Sequence, residues 1–159
     1  LAPRLSYPML HQGSAPRTLL LQRFRSQVSS VLLATASFWE GVDVPGEALS
    51  MVVMDKLPFA VPDEPLTAAR IERIEERGES AFLSYQVPQA VLALKQGFGR
   101  LIRHRDDRGV VAILDRRLAE RPYGRAMLEA LPPCPRTGDL LRVRAFCKQL
   151  LDGRAASGS

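Results

Sequence analysis

The chain has 159 residues, 46% hydrophobic and 25% charged, which suits one domain with its own core and excludes a disordered segment. No apolar run reaches the roughly 18 residues of a membrane span, and no charged-then-apolar start marks a signal peptide. The formal net charge of +5 is carried almost wholly by arginine, since only Lys56, Lys95 and Lys148 are lysine, and it favours a polyanionic partner.

The chain starts at Leu1 without an initiator Met, so its amino terminus is expected to be a processed or truncated boundary. "RTLLLQRFRSQ" (17–27) has helical periodicity. It leads into "SVLLAT" (30–35), the first of three short apolar, β-branched runs; "SMVVMD" (50–55) and "GVVAIL" (109–114) are the others. None alternates polar with apolar, which predicts strands covered on both faces of a parallel sheet. "LTAARIERIEERG" (66–78) predicts a helix ending at a glycine cap. A third helix is expected from Pro88, a good first-turn residue, towards Arg103.

Beyond the third strand, "RRLAERPYGRAMLEALPP" predicts helix broken at Pro122, and "DLLRVRAFCKQLL" (139–151) an amphipathic closing helix. Cys134 and Cys147 have no CxxC spacing and no nearby His, so they read as reduced thiols. The alternation of strands and helices predicts one α/β domain over 1–152, a three-layer sandwich, followed by a disordered tail at 153–159. Three strands are few for such a domain, and part of the sheet is expected before Leu1.

Within the third helix, "QGFGRLIRHR" (96–105) raises the functional question. At about 100° per residue, Val91, Leu94, Phe98, Leu101 and Ile102 fall in one arc and predict the buried stripe. Gln96, Arg100 and Arg103 fall in a second, polar arc. Gly97 and Gly99 each cost about 1 kcal/mol against alanine in a helix interior. Such a cost suits close approach of a backbone or ligand. Two arginines beside that gap suit phosphate oxygens, which a guanidinium binds bidentately.

"QGFGRLIR" resembles motif VI of superfamily-two helicases, in the form used by the DinG/XPD-like iron–sulfur DNA helicases. "ATASFWEGVDVPG" (34–46) resembles motif V of the same family. "DKLPFAVPDEP" (55–65) is similar to its Leu-Pro-Phe signature, and "GVVAILDRR" (109–117) to the strand and turn after motif VI. The four blocks stand in the family's order and cover nearly the whole chain, with the bacterial DinG-like subgroup the nearest match. The resemblance implies a RecA-like, P-loop NTPase-type second lobe, incomplete at its amino-terminal end.

It also implies roles. Arg100 and Arg103 would be arginine fingers towards ATP on a first lobe, with Gln96 coupling nucleotide state to closure. Glu40, Gly41, Asp43 and Gly99 would lie at the nucleotide, and Thr35, Ser37 and Trp39 at single-stranded DNA. Phe38 is expected in the core, and Phe59 as a loop anchor. No phosphate-loop or acidic-box motif occurs in the chain, so ATP with Mg2+ would be held mainly by that first lobe. The family's iron–sulfur cluster would also belong outside this chain. The implied whole is a cytoplasmic ATP-dependent DNA helicase acting in repair, whose partners are single-stranded DNA, ATP and the first lobe, with no membrane association. The alternative is a non-catalytic nucleic-acid- or partner-binding module that retains the lobe fold.

Overall fold

The computed structural model describes residues 6–35, 38, 44, 48–62, 64–102 and 107–157, with side chains to residue 153. By contacts the chain divides into two units. The first comprises residues 1–52, 99–111 and 137–159, and the second residues 53–98 and 112–136. The fold is α/β, built of short parallel strand pairs and helices, as in a RecA-like helicase C-terminal lobe.

In the first unit, β1 (Met9–His11) pairs in parallel with β2 (Val31–Leu33), Met9 opposite Val31 and His11 opposite Leu33. β1 is a strand that sequence periodicity misses, because three residues between Pro8 and Gln12 are too few to show a period. The crossover between the two strands is α1 (Arg17–Ser26), which buries Leu20, Leu21 and Phe24. These three pack with Leu10, Phe38 and Val44 into the unit's core cluster. Full burial of such a side chain contributes about 1.5–3 kcal/mol.

β3 (Met51–Met54) pairs with β4 (Val110–Ile113). The Val110 N–H donates to the Ser50 carbonyl and the Leu114 N–H to that of Met54. Both strands advance by four residues between these bonds, which is a parallel register. The expectation of strands covered on both faces is corrected here: Val53 is 56% exposed, and Leu33, Met51 and Leu114 are exposed as well. Unalternated apolar runs report what a strand tolerates on each face. They do not say that the described residues supply a cover for both.

In the second unit, α2 (Pro65–Glu75) starts with Pro at its first turn. It ends as expected at Gly78, whose φ of +74° is left-handed. The Gly78 N–H bonds the Glu75 carbonyl and the Glu79 N–H that of Ile74, the Schellman arrangement with glycine just past the end. A π-helical turn (Phe82–Gln86) leads into α3 (Val87–Leu101). The helix expected to break at Pro122 does so, into α4 (Arg117–Glu120) and α5 (Pro122–Glu129). The Phe59 ring lies 5.4 Å from Phe82 and 5.9 Å from Tyr123, centre to centre, so it is a loop anchor.

That loop is also held by Asp115, whose side chain is only 8% exposed. Its carboxylate accepts the Leu57 N–H at 2.9 Å and the Arg117 N–H at 3.0 Å, and pairs with the Arg117 guanidinium at 2.6 Å. The guanidinium hydrogen bond, opposed by burial and reinforced by the two backbone donors, holds the carboxyl well below the usual carboxylate range. A depressed folded-state value means the stabilisation is present above the unfolded value of about 3.9 and is lost as pH falls below it. Arg117 is 44% exposed and solvent screens it, so the backbone bonds set the scale, about 1–3 kcal/mol. Asp115→Asn is therefore expected to lower neutral-pH stability by that amount and to flatten the acid limb of a urea-unfolding series below pH 4. An unchanged acid limb would contradict the assignment.

The closing helix, α6 (Leu140–Ser157), runs past residue 152. Val143, Cys147 and Leu150 form its half-buried stripe, while Leu140 and Leu141 are 81% and 75% exposed. Cys134 and Cys147 are free thiols. Among the described residues no helix is long and apolar enough to cross a membrane.

Candidate functional site

Gln96, Gly99 and Arg100 all lie in α3. The stripe this helix buries differs from the expected one. Val87, Ala90, Leu94, Gly97 and Leu101 are buried, Val91 and Phe98 only half-buried, and Ile102 exposed. Side-chain hydrophobicity weights large residues, whereas α3 also buries the small ones, Ala90 fully, and this turns the stripe towards Gly97.

The two glycines therefore separate. Gly97 belongs to the buried stripe. Gly99 is exposed, and a Cβ built there meets no atom within 4 Å. No packing among the described residues accounts for the propensity cost at Gly99.

Gln96 and Arg100 stand one turn apart, Gln96 exposed and Arg100 half-buried in the last turn. Among the described residues neither side chain has a hydrogen bond, and Arg100 forms no ion pair. Elsewhere several arginines pair locally: Arg116 with Glu120, Arg117 with Asp115, Arg125 with Glu129 and Arg142 with Asp139. Among the described residues Arg100 is thus an unpaired, half-buried cation at a helix end beside an open backbone position.

The second element is the loop after β2. Thr35 is pinned from outside the loop: its N–H and its hydroxyl both donate to Gln12 Oε1, at 2.9 and 3.0 Å. Phe38 is buried in the core, and its N–H bonds the Thr35 carbonyl. Arg17, in the first turn of α1, donates to the Phe38 carbonyl at 3.0 Å, with its guanidinium 5.3 Å from the ring centre. Val44, 2% exposed, anchors the far end of the loop in the same core.

Ser37, Trp39, Glu40, Gly41, Asp43 and Arg103 lie outside the described residues. Thr35, Gly99 and Arg100 belong to the first unit and Gln96 to the second. Gln12 and Arg17 are supports that sequence reasoning missed. Each lies more than 20 residues from its partner, and no local spacing links them. Among the described residues no group of His, Cys, Asp and Glu could hold a metal ion.

The model of the helicase C-terminal domain family matches residues 2–134. The chain belongs to that family. This helicase C-terminal domain is 53% identical over 142 residues to the ATP-dependent DNA helicase YoaA of Escherichia coli K12, covering 89% of this chain and 22% of that protein. It is 43% identical over 147 residues to the ATP-dependent helicase DinG of Mycobacterium tuberculosis H37Ra, covering 92% of the chain and 22% of the relative. Against the 3'-5' exonuclease DinG of Bacillus subtilis 168 the identity is 45% over 120 residues, 76% of the chain and 13% of the relative. The domain thus spans about a fifth of the length of the first two relatives. The expected DinG-like C-terminal lobe is borne out.

Proposed function

We propose that this domain is the second motor lobe of an ATP-dependent DNA helicase that works in the cytoplasm. Arg100, with Arg103, reaches across to the γ-phosphoryl group of ATP held with Mg2+ on a first lobe. Gln96 links that contact to lobe closure. Glu40, Gly41 and Asp43 meet the nucleotide, and Thr35, Ser37 and Trp39 meet single-stranded DNA. The observation that carries the reading is Arg100 itself, a half-buried guanidinium with no ion pair among the described residues, next to an open glycine.

A half-buried cation of this kind, unpaired among the described residues, suits phosphate chemistry. A guanidinium stays charged and offers a rigid fork, and charge building on the transferred phosphoryl oxygens is met without reorganisation. ATP supplies the chemical energy when bound, while this lobe's own part is to orient and to neutralise. The two cysteines, free and far apart in sequence, cannot make up a four-cysteine cluster, so any iron–sulfur group belongs elsewhere in the protein.

Gly99→Ala tests the reading. With open space at the Cβ position, alanine in the helix should raise stability by up to about 1 kcal/mol. If the triphosphate approaches this backbone, the same change lowers single-strand-stimulated ATP turnover of the intact protein. Thermal melting and steady-state hydrolysis are measured on one preparation. A more stable protein with undiminished turnover would remove the nucleotide from Gly99.

A further inference from the structure

The hydrogen bonds of Thr35 limit what it can offer a nucleic acid. Its backbone N–H can only donate, so the carboxamide atom facing it is the oxygen of Gln12. The hydroxyl bonds the same oxygen and must therefore donate its proton there. A DNA backbone has acceptors, its phosphodiester oxygens, and no donors. The Thr35 hydroxyl, its proton committed to Gln12, has nothing to give a phosphate.

The other end of the Gln12 side chain does. With Oε1 fixed on Thr35, Nε2 and its two hydrogens point away, and the residue is exposed. Its backbone is fixed too, because the Gln12 N–H bonds the Leu33 carbonyl. Gln12 follows the last residue of β1, and Thr35 lies two past the end of β2, its parallel neighbour. The carboxyl ends of adjacent parallel strands are where α/β sheets place ligands. Little side-chain freedom remains to be lost on binding.

We propose that Gln12 is a phosphodiester-contacting residue of this domain, donating from Nε2 to the backbone of single-stranded DNA, and that Thr35 serves the grip as the positioning residue that aims it rather than through its own hydroxyl. The proposal deepens the DNA-gripping role given above and rests on that reading.

The test measures binding of the intact protein to a fluorescent oligo-dT by anisotropy, alongside thermal melting. Gln12→Glu keeps the acceptor for Thr35 and loses the donor; Gln12→Ala loses both; Thr35→Val removes the hydroxyl and leaves the Gln12 amide. A hydrogen bond to a charged group implies about a tenfold loss of affinity for both Gln12 variants. Thr35→Val should lose less, and the melting temperature of Gln12→Glu should stay near that of the wild type. Wild-type affinity in Gln12→Glu would overturn the proposal. So would a loss in Gln12→Glu with none in Gln12→Ala, which is charge repulsion alone, or equal losses in Gln12→Ala and Thr35→Val, which make Gln12 a mere support. A wild-type protein that does not bind the oligonucleotide overturns the DNA-gripping reading and this proposal together. Tight wild-type binding with any of the first three results overturns the role of Gln12 alone.

Discussion

Arg100→Ala in the intact protein is expected to lower single-strand-stimulated ATP turnover by about 10³-fold or more, with nucleotide affinity nearly unchanged. The magnitude follows from where an arginine of this kind acts. It meets charge that develops on the phosphoryl group during transfer, so its loss falls on turnover rather than on binding. Folding should be little affected, because among the described residues Arg100 makes no hydrogen bond or ion pair whose partner would be orphaned. Arg100→Lys should recover little, since an ammonium is a point charge without the fork. Equal losses in affinity and turnover would make Arg100 a ground-state binding residue instead.

The largest stability effect is expected at a residue far from any ligand. Gly124 lies buried in the first turns of α5, against the end of α4. A Cβ there would run into the Leu118 carbonyl and come within 3.0 Å of the Arg117 carbonyl. These are backbone atoms, and a flexible side-chain end could yield where they cannot. Gly124→Ala should therefore cost about 3 kcal/mol or more, at the upper end of overpacking penalties. For a cooperative unit of 159 residues that is a fall of roughly 6–12 °C in its melting transition. Differential scanning calorimetry of the intact protein reads it. A melting temperature within a degree of the wild type would mean the α4–α5 corner can open.

Gly97, Gly99 and Gly124 show how far composition alone reaches. All three stand in helical sequence and look alike as propensity costs. Only the structure separates a buried position, an open surface position and a backbone collision. The same limit explains the stripe of α3. Large apolar residues suggested an arc through Phe98 and Ile102, whereas the helix buries Ala90 and Gly97 instead.

Long periodic segments were legible: α1, α2, α3 and the break at Pro122 stand where periodicity and proline chemistry predict them. β1 was not, since three residues carry no period. That Gln96 and Arg100 stand one turn apart was legible, because a helix converts spacing into position. The supports of the Thr35 loop were not. Gln12 and Arg17 reach that loop through the parallel pairing of β1 with β2 and the packing of α1, and tertiary contacts of that kind leave no local signal.

The motor-lobe role depends on one cationic side chain answering to the triphosphate at the moment of transfer. Its most direct test compares wild-type and Arg100→Ala intact protein for affinity towards ADP–aluminium fluoride, a mimic of the transferring phosphoryl group, and towards ADP alone. The predicted result is a loss of about 10³-fold for the mimic with ADP affinity unchanged. Equal affinity of the two proteins for the mimic would contradict the motor-lobe assignment of Arg100.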